Sequence, residues 1–139
     1  MTTQTSIIDL VVNSSKNCYY LTKEQMEGIQ NKGVTAELTQ GIYVVRIKEG
    51  TFDYVKDSED VENEPLVLLW IYGGKFKNLK TKKQVAASWS TLNGYDDTLT
   101  IAVSEPSKLC AFFFDTEIND NAGDVTVSVV KVDELRDFN

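Results

Sequence analysis

The chain contains no histidine, and its 139 residues include only two cysteines and two prolines. Without histidine it cannot form a Ser–His–Asp or Cys–His catalytic site by itself, and it lacks the commonest general base and transition-metal ligand. Two cysteines are also a poor basis for a zinc site. Since the sequence has neither a nucleophile elbow nor a glycine-rich cofactor loop, we do not expect an enzyme.

Basic residues are scarce, with 14 Lys and Arg against 21 Asp and Glu, which gives a formal net charge of −7. This balance argues against nucleic acid as the main partner, because phosphate binding needs a surface rich in lysine and arginine. It argues equally against an anionic membrane surface. No apolar run approaches the length of a membrane span, and the first residues lack the features of a secretory signal peptide. We therefore expect a cytoplasmic protein whose partner is a neutral ligand, a cation or a basic protein.

The two cysteines, Cys18 and Cys110, lie far apart in the sequence, and each falls in an apolar, strand-like run. Such positions predict buried free thiols. A disulfide is the alternative if the two strands are neighbours in the fold, since the bond needs closely placed backbones.

The length suits a single domain covering residues 1–139. Its first part, residues 1–33, is expected to hold short strands at 7–12 and 18–21, followed by one helix. The remainder, residues 34–139, is expected to form the β core.

The helix is predicted by its end signals. Thr22 and Gln25 have the spacing of a capping box. This spacing predicts a short helix over residues 23–31, with Gly33 as the stop signal.

The rest of the chain reads as β structure. In the run 98–103, Leu99, Ile101 and Val103 are spaced two residues apart and therefore share one face of a strand. The strands predicted in this part are 41–47, 66–72, 85–89, 98–103, 109–114 and 125–130. The glycine pair at 73–74 is expected to end the second of them. About seven or eight short strands, without a strand–helix–strand pattern, predict an all-β antiparallel sandwich or barrel.

The loop before the last strand, residues 115–124, carries four carboxylates and two side-chain amides. Calcium takes about six to eight oxygen ligands from carboxylates, amides and backbone carbonyls. Asp115, Asp120 and Asn121 can supply side-chain oxygens, and a carbonyl from residues 116–118 can supply another. The alternative is an ordinary acidic turn, because Asp and Asn are also good turn residues.

Aromatic residues in and near the strands could stack on sugar rings or pack as cross-strand pairs. They are Tyr54, Trp70, Tyr72, Trp89 and Tyr95. Trp70 lies in an apolar run and is expected in the core, whereas Tyr54 lies in an acidic loop and is the better platform candidate. Asp96 and Asp97 follow a hairpin signal, so we expect a solvated hairpin tip there rather than an acid–base pair.

Three segments together carry a resemblance to a known family. They are residues 38–45, Leu-Thr-Gln-Gly-Ile-Tyr-Val-Val, residues 50–54, Gly-Thr-Phe-Asp-Tyr, and the last loop with Asp115 and the run 120–127, Asp-Asn-Ala-Gly-Asp-Val-Thr-Val. They resemble the bacterial calcium-dependent galactose-binding lectins of the PA-IL type. In that family a tyrosine gives a backbone carbonyl to calcium, and the last loop gives side-chain oxygens.

The resemblance implies a jelly-roll-like antiparallel β-sandwich, to which the short helix near the N-terminus is an addition. It implies one calcium ion per chain with ligands at Tyr54, Asp115, Ile118, Asp120 and Asn121, where Tyr54 and Ile118 give backbone carbonyls. It also implies a neutral sugar bridged by that ion, with Tyr54, Asp115 and Asp120 at the ligand. A small homo-oligomer is implied, and export without a cleavable signal peptide becomes an alternative to the cytoplasm. The family's sugar-contacting histidine has no counterpart here.

The sequence thus predicts a calcium-dependent, lectin-like carbohydrate-binding protein. The alternative is a metal-independent β-sandwich module that binds a protein partner through its acidic loops.

Overall fold

The computed structural model describes residues 6–53, 62–115, 118–119 and 121–133. Seven antiparallel strands and one short helix form in these ranges, so the expected all-β class is confirmed. The elements are α1 (Lys23–Lys32), β1 (Val34–Leu38), β2 (Gly41–Gly50), β3 (Leu66–Asn78), β4 (Lys83–Asn93), β5 (Thr98–Val103), β6 (Ser107–Phe112) and β7 (Val125–Asp133). No helix within the same ranges is long and apolar enough to cross a membrane.

The longest strand, β3, belongs to both halves of the sheet. Its residues 68–72 pair with β6, and its last residues, 76–78, pair with β5. Between these two stretches its register with β4 shifts, at the glycine pair 73–74. The prediction that these glycines end the strand is therefore wrong. Glycines inside a strand permit a bulge or bend, and here the strand continues past the bend with a new neighbour.

The strand order is β1-β6-β3-β5-β2-β7, and β4 pairs with β3 as well. Because β3 changes neighbours at its bend, the sheet curls, and side chains from both halves meet in one hydrophobic cluster. The cluster includes Leu69 and Ile71 of β3, Val45 of β2, Ile101 of β5 and Leu109 of β6. β1 and β7 end the strand order, so within the described residues each has a neighbouring strand on one side only.

The predicted alternation of side chains is confirmed on β5, and β7 shows a similar alternation. Leu99, Ile101 and Val103 are all buried in the core. On β7, Val125 packs against the same cluster, whereas Val130 is exposed. A period of two residues therefore sets which side chains enter the core.

The capping box forms as predicted. The Thr22 hydroxyl accepts the Gln25 N–H at 3.1 Å, and the Gln25 side chain accepts the Thr22 N–H at 2.9 Å. α1 begins where predicted, ends one residue later and is followed by Gly33. It lies against β6, with Met26 and Ile29 half-buried.

Replacing Thr22 with alanine is expected to destabilise α1 by about 1 kcal/mol, because the first turn loses the hydroxyl that accepts one of its N–H groups. Amide hydrogen exchange along α1 should become faster, while exchange in β3 and β5 should not change. Thr22→Ser keeps the hydroxyl and should exchange like the unmodified chain. Equal acceleration by both variants would contradict a capping role.

The two strands predicted at 7–12 and 18–21 do not form. A strand is stable only when it pairs with others over a shared apolar face, and neither stretch pairs with a strand in the described part of the chain. Cys18 is consequently exposed, contrary to the prediction, whereas Cys110 in β6 is fully buried, as predicted. Both thiols are free, so the disulfide alternative does not form.

Candidate functional site

The segment that follows β2 lies against the last loop of the chain. Asp53 donates its backbone N–H to the Ala122 carbonyl, and Ala122 donates its N–H to the Asp53 carbonyl, both at 2.9 Å. These bonds extend the pairing of β2 with β7, in which Gly50 faces Val125. The oxygen-rich loop is thereby fixed beside the backbone that directly precedes residue 54.

Phe52 holds the same segment against the start of the loop. Its side chain is 6% exposed, and its ring stacks on that of Phe113 with 3.8 Å between centroids and 12° between planes. Its backbone also pairs with Glu64 through hydrogen bonds of 2.8 and 3.2 Å. Because Asp115 comes two residues after Phe113, the stack brings the first carboxylate of the loop close to the end of β2.

Two glycines allow these backbones to approach. Gly50 and Gly123 have φ angles of 97° and 96°, which residues with a side chain rarely adopt. A Cβ atom on Gly123 would collide with the carbonyl oxygen of Thr51, and one on Gly50 would collide with that of Asp124. Each glycine therefore faces the backbone of the other segment, and the contact is reciprocal.

The structure places three of the five predicted calcium ligands, while Tyr54 and Asp120 lie outside the described residues. Asp115 is exposed at the start of the loop, and Asn121 is half-buried beside the paired segment. Ile118 is 72% exposed, and its carbonyl accepts the Asn121 N–H at 3.2 Å. Ile118 and Asn121 therefore share one short turn, and Asn121 directly precedes Ala122, which pairs with Asp53 at the end of β2.

The donor set of this turn suits a hard cation. Among the residues that the structure describes, no three His, Cys, Asp or Glu side chains form a group that could hold a metal ion. A site here must therefore draw on carbonyl and amide oxygens, and on Asp120 too. Calcium accepts this mixture of oxygen ligands. Transition metals favour nitrogen and sulfur, and the chain offers no histidine.

Sequence reasoning missed Phe52, Asp53 and Phe113 as parts of this site. Each contacts a residue that is distant in the chain, and no regular spacing reveals such a partner. One signal was available: Phe52 and Asp53 lie in the segment 50–54, which is part of the family resemblance. Within that segment only Tyr54 had been assigned a role at the site.

Four further aromatic residues form a row on β3, β4 and β6. Trp70 stacks on Tyr72 and Trp89, with 4.3 and 5.0 Å between centroids, and Phe112 meets Trp89 edge-on at 6.0 Å. Trp70 is buried as expected, whereas Trp89 is 50% exposed. Burial raises the pKa of Tyr72 to about 12, and the Cys110 thiol, 3.7 Å from the phenol oxygen, also raises it. The Tyr72 hydroxyl is therefore neutral near pH 7 and is not a general base.

The turn predicted at residues 93–97 forms between β4 and β5, and Asp97 accepts the backbone N–H of Asn93 there at 2.9 Å. The prediction of a hairpin is wrong, because in the described part of the chain β4 pairs with β3, whereas β5 pairs with β2 and β3. Asp96 is exposed in this turn. Tyr95 donates its hydroxyl to the Gly50 carbonyl at 2.8 Å and so ties the turn to the end of β2.

No protein-family model, curated protein or solved structure matches this chain.

Proposed function

We propose that this chain is a calcium-dependent, lectin-like carbohydrate-binding protein with its site at the loop 115–124. The observation that carries the proposal is the pair of hydrogen bonds between Asp53 and Ala122. They join the end of β2 to the oxygen-rich loop, which supports a site that draws oxygen donors from both parts of the chain. This arrangement is what a cation with many oxygen ligands requires.

The proposed ligands are two backbone carbonyls and three side chains. They are the carbonyls of Tyr54 and Ile118 and the side chains of Asp115, Asp120 and Asn121. Bound calcium supplies open coordination positions for two neighbouring hydroxyls of a sugar ring. The carboxylates of Asp115 and Asp120 accept charge-assisted hydrogen bonds from the same hydroxyls, and Tyr54 adjoins the sugar. The net charge of −7 favours a cation and does not repel a neutral sugar.

The architecture proposed for this function is a jelly-roll-like β-sandwich, since the curled sheet already collects one core from both of its halves. Single sites of this open kind bind sugars weakly. We therefore propose a homo-oligomer, in which several sites act together and raise the overall avidity.

Calcium is expected to raise the melting temperature of chelator-treated protein by about 5–10 °C once its concentration reaches about 100 times the dissociation constant. Binding to the native state alone then adds about 2.7 kcal/mol, and each kcal/mol moves the midpoint of a chain of this size by about 2–4 °C. The measurement is a thermal unfolding series in calcium, with magnesium as the ionic control. A melting midpoint unchanged in millimolar calcium would contradict the proposed calcium site and also the sugar site that depends on it.

Asp115→Ala and Asp120→Ala should each abolish the shift. Asp96→Ala is the matched control, because Asp96 is exposed in the turn between β4 and β5 and its loss removes the same charge elsewhere. A glycan array with and without chelator then tests the ligand class. Glycan binding that persists in the chelator would show that the sugar site does not depend on calcium.

A metal-independent protein-interaction module is the second candidate. The exposed apolar stretch at residues 7–12 favours it, since contiguous apolar surface marks interaction sites. The calcium series distinguishes the two candidates, because a protein-binding module without metal gives no shift in melting temperature.

A further inference from the structure

A short apolar stretch at the start of the described chain, residues 6–12, is exposed to solvent. Its large aliphatic side chains are between 76% and 92% exposed. They are Ile7, Ile8, Leu10, Val11 and Val12. The stretch ends in a turn, where the Asn13 side chain accepts the N–H groups of Ser15 and Lys16 at 2.9 Å. Apolar surface of this kind is normally covered in a soluble protein.

As an extended strand, this stretch has one wholly apolar face. Side chains alternate between the two faces of a strand, so Ile8, Leu10 and Val12 lie together. Ile7, Asp9 and Val11 lie on the opposite face, which carries the one charge of the stretch. The uncharged face of Ile8, Leu10 and Val12 is therefore the one suited to cover a hydrophobic surface.

A groove of about 430 Å³ lies between β1 and β7, the strands at the two ends of the strand order. Val34 of β1 and Phe113 line one side, Val125 and Val127 of β7 line the other, and Val67 of β3 also contributes. Val34 is 76% exposed although it belongs to a strand. A cavity of about 150 Å³ already holds a benzene molecule, so this groove has room for several aliphatic side chains.

The strands on both sides of the groove can accept a further strand. β1 and β7 end the strand order, so in the described part of the chain neither has a strand on its outer side. The chain's two prolines, Pro65 and Pro106, lie outside both strands. Edge strands without proline present backbone groups with which an extended segment can pair.

We propose that residues 6–12 of one copy insert as a strand into this groove of a second copy, with Ile8, Leu10 and Val12 facing inward. In the described part of the chain both the stretch and the groove are open to solvent, and exchange of the same element between two copies covers both, a low-cost route to dimers. The stretch carries one charge, at Asp9, against a net −7 for the whole chain, so the contact adds little repulsion. The interface depends on neither calcium nor sugar.

The test is the mass of the full chain by light scattering after size exclusion. The unmodified protein should give a multiple of 15.6 kDa. Leu10→Asp should weaken self-association by at least about 30-fold, as loss of a central anchor does. Val11→Asp makes the same change on the opposite face and should leave the mass unchanged. Both positions are exposed, so circular dichroism should show an intact fold in each variant.

A mixing experiment identifies the exchange itself. Val34→Asp blocks the groove and leaves the stretch intact, whereas Leu10→Asp blocks the stretch and leaves the groove intact. Each variant alone should be a monomer, and a mixture of the two should form a dimer with one exchanged strand. A monomeric unmodified protein, equal effects of Leu10→Asp and Val11→Asp, or a mixture that stays monomeric would overturn the proposal. So would a monomer whose residues 6–12 are protected from hydrogen exchange, because its own groove would then hold them.

Discussion

Replacing Phe76 with alanine is expected to lower the free energy of unfolding by about 3–5 kcal/mol. Phe76 is fully buried in the core cluster, and it lies just past the bend of β3. Its backbone position pairs with Val85 of β4 on one side and with Val103 of β5 on the other. The ring therefore fills the core at the point where the two halves of the sheet join.

The loss is large because the surrounding backbone cannot move in to fill the cavity. The residues around Phe76 are held by pairing on both sides of β3, and the energetic cost of a cavity grows with the volume left empty. Since a domain of this size is stable by only about 5–15 kcal/mol, the variant should have lost a large part of its stability.

Denaturant unfolding measures the effect, and a fall of about 10 °C in the melting midpoint should accompany it. Phe114→Ala is the control, because Phe114 is 47% exposed and contacts Phe112 edge-on. That variant should cost about 1 kcal/mol or less, in the range of surface substitutions. Similar losses for both phenylalanines would contradict the central position of Phe76.

The sequence was most informative where local patterning and tertiary burial agree. The alternation over Thr98–Val103 predicted β5 with its bounds unchanged, and Thr22 with Gln25 predicted the start of α1. The capping contacts lie within a few residues of one another, and in β5 the local alternation agrees with the burial that its distant neighbours impose. Such local patterns are readable from spacing alone.

Local patterning failed where a distant partner decides the outcome. The stretches 7–12 and 18–21 have the composition of strands but no neighbouring strand in the described part of the chain. Residues 34–38 alternate over too short a run to be distinguished from a loop, yet they form β1 because β6 lies alongside. The glycines at 73–74 read as a terminator, and the pairing of β3 on both sides of them turns the same residues into a bend.

The candidate site also has one part that local patterning predicts and one part that distant contacts determine. Its loop could be predicted, because four carboxylates and two amides within residues 115–124 are visible as composition. Its second half could not, because the contact of Asp53 with Ala122 and that of Phe52 with Phe113 join residues far apart in the chain.

Replacing Gly50 with alanine is expected to cost about 2–5 kcal/mol. Its φ of 97° alone costs a residue with a Cβ atom about 1–2 kcal/mol. The new methyl group would in addition collide with the carbonyl oxygen of Asp124, and forcing atoms into occupied space costs about 1–3 kcal/mol. The measurement is again denaturant unfolding.

Gly73→Ala is the matched control for the collision. Gly73 has nearly the same φ, 94°, but a Cβ atom there would meet nothing within 4 Å. Its substitution should cost about 1–2 kcal/mol, from backbone strain alone. The difference between the two variants measures the contact of Gly50 with the loop, and equal losses would show that this contact is loose.

The same pair of variants distinguishes an effect on the stability of the fold from an effect on the proposed calcium site. The methyl group on Gly50 pushes the end of β2 away from the loop. The carbonyl of Gly50, which accepts a hydrogen bond from the Tyr95 hydroxyl, lies at the same place. Gly50→Ala should therefore reduce the calcium-dependent rise in melting temperature by more than its loss of stability explains. Gly73 lies at the bend of β3, outside the loop, so Gly73→Ala should keep the full rise. A full rise in both variants would mean that the proposed site does not need the junction of β2 with the loop.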